Sequence, residues 1–215
     1  MKHITFYLDF ISPFAYLAFE RLPVILEGIS HEVTYKPIVF GAVLKHHGQL
    51  GPAEINGKRE WTYRQVLWLA HQLGIPFQMP QHHPFPSLEL LRSSVACGHQ
   101  GLPNRWTCDQ VFRHVWQGGF DAGDPQRLKE LLGHLKPSHD PQSPEVKNRL
   151  RQFTQEAIDL NVFGVPTFCV DGQSFWGLDA LPMLRAFLLG DPWFDSADWH
   201  DAANRNASIR RTHSV

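Results

Sequence analysis

Three short stretches of the sequence place residues capable of chemistry beside the predicted ends of helices or strands. The first contains Ser12, followed directly by Pro13. Serine is a favoured N-cap and proline a favoured first helical residue, so a helix is predicted to begin at Pro13. A helix N-terminus stabilises an anion such as a thiolate through its unpaired N–H groups and partial positive charge. Ser12 therefore either only caps its own helix or also binds an anionic group of a ligand.

The second stretch is Gly164-Val165-Pro166-Thr167, which stands immediately before a predicted strand. Proline cannot donate a hydrogen bond within a sheet, so Pro166 belongs at the first residue of the strand or in a turn. A cis Val165–Pro166 bond would leave the Val165 backbone free to pair with an extended peptide ligand. The alternative is a trans proline that only begins an edge strand.

The third stretch puts a glycine turn and an acid before the predicted last helix. The acid, Asp179, either caps that helix or accepts the α-ammonium group of a ligand, since one carboxylate has lone pairs enough for both roles. The residues of this stretch are Phe175, Trp176, Gly177, Leu178 and Asp179.

Cysteine and histidine spacing predicts no metal site and no redox pair. Cys97, Cys108 and Cys169 are widely separated, so they form neither a CxxC pair nor a metal knuckle, and we expect three reduced, partly buried thiols. The 13 histidines include the pairs at 46–47 and 82–83, but no HExxH or HxH pattern accompanies them.

Hydrophobic patterns predict the elements that position these stretches. Residues 3–9 are typical of a buried strand, and the helix that begins at Pro13 carries an apolar face and is kinked or split at Pro23. With a second strand at 32–40, the order strand, helix, strand implies a parallel, right-handed unit. In the second half of the chain, an Asp-Gly turn joins two further predicted strands. The predicted elements there are a helix at 143–160, strands at 167–170 and 174–176, and a helix at 179–189.

Helical patterns broken by glycine and proline fill the segment between these halves. The sequence therefore predicts an α/β, thioredoxin-like fold with a large all-helical insertion between the βαβ and αββα halves; a generic α/β domain is the alternative. Helices within the insertion are predicted at 61–73, 87–99 and 104–117.

The predicted domain boundaries follow from this order. Residues 1–40 and 143–190 form the discontinuous thioredoxin-like domain, and residues 41–142 form the helical insertion. Residues 191–215 are polar and aperiodic, as in a C-terminal tail. Three aromatic side chains in this tail are available to dock on the body or on a second subunit: Trp193, Phe194 and Trp199.

Composition restricts the class of partner. The chain has 215 residues, of which 43% are hydrophobic, enough to bury one sizeable core. Its formal net charge of -1 comes from interspersed acids and bases, which leaves no basic surface for nucleic acid or an anionic membrane. The sequence shows neither a secretory signal nor an apolar run of about 18 residues. We therefore expect a soluble, cytoplasmic protein.

Four runs together resemble the 2-hydroxychromene-2-carboxylate isomerase family and its relatives, the kappa-class glutathione transferases. These runs lie at residues 9–14, 36–45, 164–168 and 175–179, and their order and spacing extend the resemblance to about Leu189. In that family Ser-Pro-x-x replaces the CxxC of thioredoxin. Here that motif is Ser12-Pro13-Phe14-Ala15, which excludes dithiol redox chemistry at this position.

The resemblance implies a glutathione site. Ser12 is the implied catalytic residue, because its hydroxyl would stabilise the glutathione thiolate, while Val165 and Pro166 would hold the cysteinyl unit. At the γ-glutamyl end, Leu178 departs from kappa-class members, in which a serine stands at the matching place. That difference either weakens the transferase interpretation or means that the backbone makes the ligand contact that the serine hydroxyl would make. The residues implied around this end are Trp176, Gly177, Leu178 and Asp179.

The resemblance also implies a substrate and a reaction. Lys45, Asn56 and Arg92 fall where the isomerases hold an aromatic keto acid, and a carboxylate needs cationic or bidentate donors. The alternative for these residues is solvated surface. The implied reaction interconverts 2-hydroxychromene-2-carboxylate and trans-o-hydroxybenzylidenepyruvate by transient thiolate addition. A homodimer is implied as well. The alternatives are a kappa-class-like transferase and a non-enzymatic peptide-binding module.

Overall fold

A mixed sheet of four strands forms the centre of the computed structural model, which describes residues 1–205. Its strand order is β2-β1-β3-β4. β1 pairs in parallel with β2 and antiparallel with β3, and β3 pairs antiparallel with β4. The end of β1 therefore lies beside the beginning of β3. The strands are β1 (Lys2–Leu8), β2 (His31–Pro37), β3 (Thr167–Val170) and β4 (Gln173–Trp176).

Helices connect and cover this sheet. Five of them, α2 to α6, lie between β2 and α7 in the chain, in the segment predicted to be all-helical. Among the described residues, no helix combines the length and hydropathy needed to cross a membrane. The helices are α1 (Pro13–Ile25), α2 (Phe40–His46), α3 (Asn56–Leu73), α4 (Leu88–Cys97), α5 (Arg105–Trp116), α6 (Pro125–Leu135), α7 (Pro144–Asp159), α8 (Leu181–Leu188) and α9 (Ala197–Ala202).

Helix α1 is continuous through Pro23 rather than split there. Proline has no N–H group, so the carbonyl of Phe19 one turn earlier loses its helical partner. The Arg105 guanidinium donates to that carbonyl at 3.1 Å, and it also lies over the Phe19 ring, 4.0 Å from its centroid. Arg105 thus satisfies the group that the proline leaves unpaired.

The second strand ends at Pro37, three residues earlier than predicted, and Phe40 begins α2 instead. Long-range contacts account for the difference. The Val39 N–H donates to the Thr154 hydroxyl at 3.0 Å, and the Phe40 N–H donates to the Asp9 carboxylate at 3.0 Å. These two bonds turn the backbone away from the sheet.

The core joins the sheet to the helical segment through aromatic rings. Phe112 of α5 packs against Phe10 and Phe19, with ring centroids 4.8 and 5.1 Å apart. Trp116 of the same helix is fully buried, and its ring stacks on Phe77. Packing between the end of β1, α1 and α5 therefore holds the Ser12 loop against the inserted helices.

Beyond residue 191 the chain forms a 3-10 turn at Pro192–Asp195 and then α9, where the sequence predicted an aperiodic tail. The side chains of Asp191 and Ser196 each accept a backbone N–H and so begin these two elements. Phe194 is buried against Phe187 and Phe175. This part of the predicted tail docks on the body; residues 206–215 lie outside the described residues.

Candidate active site

Ser12 is the N-cap of α1 and is 7% exposed. Its Oγ accepts a hydrogen bond from the Ala15 N–H at 3.2 Å and donates one to the Val165 carbonyl oxygen at 3.3 Å. The same hydroxyl therefore caps the helix and contacts the loop before β3. Only the second contact uses its hydrogen, so a stronger acceptor placed nearby would compete with the Val165 carbonyl.

The Val165–Pro166 bond is cis, as predicted, and stands directly before β3. The pairing of β1 with β3 brings this loop to Ser12. The Pro166 carbonyl accepts the Gly177 N–H at 2.9 Å, which ties the loop to the end of β4. Within residues 1–205, no hydrogen bond uses the Val165 N–H. That donor is therefore available to an extended ligand.

Trp176 lies against the backbone that precedes Val165. A Cβ atom on Gly164 would be 2.4 Å from the indole Nε1, so only glycine allows the ring this close an approach. The ring also packs on Phe163, with centroids 4.9 Å apart, and keeps 53% of its surface exposed. Gly177 follows with φ of +101°, a conformation that favours glycine. The indole thus lies exposed beside the Val165–Pro166 loop.

Asp179 does not cap the last helix. Helix α8 begins at Leu181, its N-cap is Ala180, and no side chain makes a cap bond there. In the described part of the chain, the exposed Asp179 carboxylate takes part in no hydrogen bond or ion pair. The carboxylate is free to accept an ammonium group. Leu178 packs partly against the core, so only its backbone is suited to a polar ligand.

A buried acid that the sequence did not single out lies under the Ser12 loop. The Asp9 carboxylate is 1% exposed and accepts the N–H groups of Ile11 (3.2 Å) and Phe40 (3.0 Å). The Ser87 hydroxyl before α4 also faces this carboxylate. Burial raises the pKa of Asp9 to about 6, against the lowering effect of these hydrogen bonds. Asp9 therefore joins the Ser12 loop to the beginnings of α2 and α4.

The three predicted substrate residues lie on three different helices. Lys45 is exposed on α2, and Asn56 begins α3, where it accepts a hydrogen bond from Arg59. Arg92 on α4 donates to Gln142 at 3.2 Å, and it lines a cleft of about 530 Å³ whose wall includes Phe85. Among the described residues, no hydrogen bond connects any of the three to Ser12.

The thiols of the chain are poorly suited to act as nucleophiles. Cys97, Cys108 and Cys169 are all free. Burial raises the pKa of Cys97 to about 11 and raises the pKa values of Cys108 and Cys169 as well. Because the thiolate is the reactive form, these side chains stay protonated near neutral pH. The described residues also contain no cluster of His, Cys, Asp and Glu that could hold a metal ion.

The strand order, the Ser-Pro N-cap and the facing cis-proline loop define a thioredoxin-like protein with a serine at the N-terminus of the helix that follows the first strand. The DSBA-like thioredoxin domain family matches residues 3–189, and the chain belongs to this family. The predicted fold class is therefore confirmed.

Named relatives cover most of the chain. A 2-hydroxychromene-2-carboxylate isomerase from Pseudomonas putida is 30% identical over 194 residues, covering 85% of this chain and 92% of the relative. Glutathione S-transferase kappa 2 from Caenorhabditis elegans is 29% identical over 208 residues, covering 87% of this chain and 92% of the relative. A solved 2-hydroxychromene-2-carboxylate isomerase structure has a TM-score of 0.75 at 26% identity, covering 91% of this chain and 98% of that one. The predicted resemblance is confirmed.

Proposed function

We propose that this protein is a glutathione-dependent isomerase that interconverts 2-hydroxychromene-2-carboxylate and trans-o-hydroxybenzylidenepyruvate, or a related aromatic keto acid. The observation that carries the proposal is the Ser12 hydroxyl, held at the N-terminus of α1 and 3.3 Å from the Val165 carbonyl of the cis-proline loop. The names of the isomerase and kappa-class relatives support both glutathione and this substrate class.

The groups around Ser12 fit the chemistry of glutathione. A hydroxyl donor at a helix N-terminus suits a thiolate, and the N–H of Val165, unpaired within residues 1–205, suits the peptide of the cysteinyl unit. The Asp179 carboxylate, which has no partner among the described residues, suits an α-ammonium group, beside the exposed indole of Trp176 and the backbone of Gly177 and Leu178. These residues, together with Pro166, are the proposed cofactor site.

When bound, glutathione supplies a thiolate that adds to a conjugated enone and leaves again, so that the carbon–carbon bond can rotate in between. Ser12 would turn its hydroxyl hydrogen from Val165 toward the sulfur and so raise the ionised fraction of the thiol. The thiols of the chain itself, with raised pKa values, would not compete for the enone. We propose that Lys45, Asn56 and Arg92 bind the keto acid, that residues 41–142 act as the substrate-binding domain, and that the protein is a homodimer.

A titration with glutathione tests the proposal. A ligand that binds only the folded state adds about 2.7 kcal/mol to the free energy of unfolding at 100 times its dissociation constant, so the melting temperature should rise. S-methylglutathione, which keeps the peptide but has no ionisable thiol, should also raise it and should inhibit turnover. No change in melting temperature at millimolar glutathione would contradict the cofactor assignment.

Product analysis separates the isomerase from its main alternative. An isomerase returns glutathione unchanged, whereas a kappa-class-like transferase accumulates a glutathione adduct. The kappa-class relative keeps this second function open. Mass spectrometry of the reaction mixture, with 2-hydroxychromene-2-carboxylate as substrate, distinguishes the two.

Asp179→Asn should weaken glutathione binding about tenfold while leaving the rate at saturating glutathione nearly unchanged. The ion pair with the α-ammonium group is made equally in the ground and transition states, so its loss affects binding and not the chemical step. Calorimetric titration and steady-state kinetics measure the two quantities. Asp159→Asn, which removes an exposed carboxylate at the end of α7, is the matched control and should change neither. Equal affinities in all three proteins would remove Asp179 from the site.

A further inference from the structure

The backbone that leads into Ser12 is held by side chains from the helical segment. The Phe10 carbonyl accepts the indole N–H of Trp116 at 3.0 Å, and the Ile11 carbonyl lies 2.9 Å from Nε2 of His83. On the other side, the Ile11 N–H is bound by the Asp9 carboxylate. Both polar groups of Ile11 are therefore fixed, and the next residue is Ser12.

The hydrogen bonds define the protonation of His83. A carbonyl oxygen can only accept, so Nε2 carries a hydrogen and donates it to Ile11. Burial lowers the pKa of His83 and favours the neutral ring, whose Nδ1 then accepts. The Tyr63 hydroxyl lies 2.8 Å from Nδ1 and 2.7 Å from the His83 carbonyl oxygen, so both acceptors share its one hydrogen.

The ring of His83 is also fixed by packing. It contacts the buried ring of Trp116 and the ring of Phe85, with centroids 5.6 and 6.0 Å away. With Tyr63 of α3 at one nitrogen and Ile11 at the other, the imidazole bridges the helical segment and the Ser12 loop. Both of its nitrogens are used, so it has no free group to offer a substrate.

We propose that His83 is a positioning residue, which fixes the Ile11 peptide and thereby aims the Ser12 hydroxyl at the glutathione sulfur, and that Tyr63 orients the His83 ring. This inference rests on the proposed function. In the peptide unit between Ile11 and Ser12, His83 binds the carbonyl oxygen and the Ser12 N–H donates to the Asp9 carbonyl oxygen at 3.0 Å, so this unit cannot rotate freely. The backbone of Ser12, with φ of -88° and ψ of 116°, is therefore set by contacts far away in the sequence.

Two amide substitutions distinguish the roles of the two ring nitrogens of His83. In His83→Gln the terminal amide reaches the place of Nε2 and keeps a donor for Ile11; in His83→Asn the shorter amide reaches only the place of Nδ1. We expect His83→Asn to lower glutathione-dependent turnover about tenfold, as a small displacement of a reacting group does. It should also raise the pH at which enzyme-bound glutathione ionises. That pH is measured from the ultraviolet absorbance of the thiolate. His83→Gln should keep most of both properties.

His71→Gln, which removes an exposed histidine from the last turn of α3, is the control and should behave as the wild type. Should His83→Asn not fold, Tyr63→Phe, which removes only a hydroxyl, should give a smaller shift in the same direction. Wild-type-like ionisation in His83→Asn or Tyr63→Phe, or equal losses in the Asn and Gln variants, would overturn the positioning role. Glutathione binding by the wild type is measured first, and its absence would count against the proposed function instead.

Discussion

Ser12→Ala is expected to lower glutathione-dependent turnover by roughly tenfold or more and to move the pH–rate profile toward alkali. The unperturbed pKa of a thiol lies about 1.5 units above neutrality, so little thiolate is present at pH 7 without help. A hydrogen bond to an ionised group contributes about 1.5–3 kcal/mol, enough to raise the ionised fraction substantially. The Ser12 hydroxyl is placed to make that bond.

The cap role of Ser12 predicts a separate effect on stability. Loss of the bond to the Ala15 N–H should cost about 1 kcal/mol of the free energy of unfolding. Ser143→Ala is a matched control: Ser143 also precedes a proline, and its hydroxyl accepts the Val146 N–H at 3.3 Å at the start of α7. Both variants should lose the stability that the cap bond contributes, Ser12→Ala should also lose the bond to the Val165 carbonyl, and only Ser12→Ala should lose turnover. Near-normal turnover in a slightly destabilised Ser12→Ala protein would remove the catalytic assignment.

Local signals predicted most of the sheet and several helix starts. The Asp-Gly turn between β3 and β4 has positive φ at both Asp171 and Gly172, as such hairpins require. Ser12-Pro13 and Ser143-Pro144 begin helices as predicted. Asp124-Pro125 has the same form and begins α6, so that helix could have been predicted from the same signal. Helix α2 has no such signal, because its start depends on contacts with Asp9 and Thr154.

The candidate site likewise contains some residues that local signals predict and others that only long-range contacts reveal. Ser12 and Val165 stand out locally, through a cap and a proline before a strand, and the sheet then joins them. His83 is 72 residues from the carbonyl that it binds, and no short-range pattern connects the two. Asp9 is a polar residue at the end of an apolar strand, which was the one local sign of its role. Residues that position others through tertiary contacts are invisible to spacing arguments.

Asp9→Asn is expected to change how stability depends on pH, with the largest effect between about pH 4 and pH 7. The pKa of Asp9 in the folded protein is about 6, above the ordinary value of 3.8, so the folded state binds more protons between these values. The stability that this group contributes is present in full below about pH 4 and is lost as the pH rises through about 6. The difference of about two units corresponds to about 3 kcal/mol, in a group that is fully buried.

Denaturant titrations of the wild type and Asp9→Asn at a series of pH values measure the contribution of Asp9 to the free energy of unfolding. The difference between the two proteins isolates it, because all other titrating groups are common to both. An asparagine resembles the protonated carboxyl group at every pH. The free energy of unfolding of the variant, relative to that of the wild type, should therefore increase by about 3 kcal/mol from pH 4 to pH 7. Asp159→Asn at the surface of α7 should follow the wild-type curve. Parallel curves for Asp9→Asn and the wild type would mean that Asp9 titrates in its ordinary range. The carboxylate that joins Ile11 to Phe40 would then be ionised at little cost to the fold.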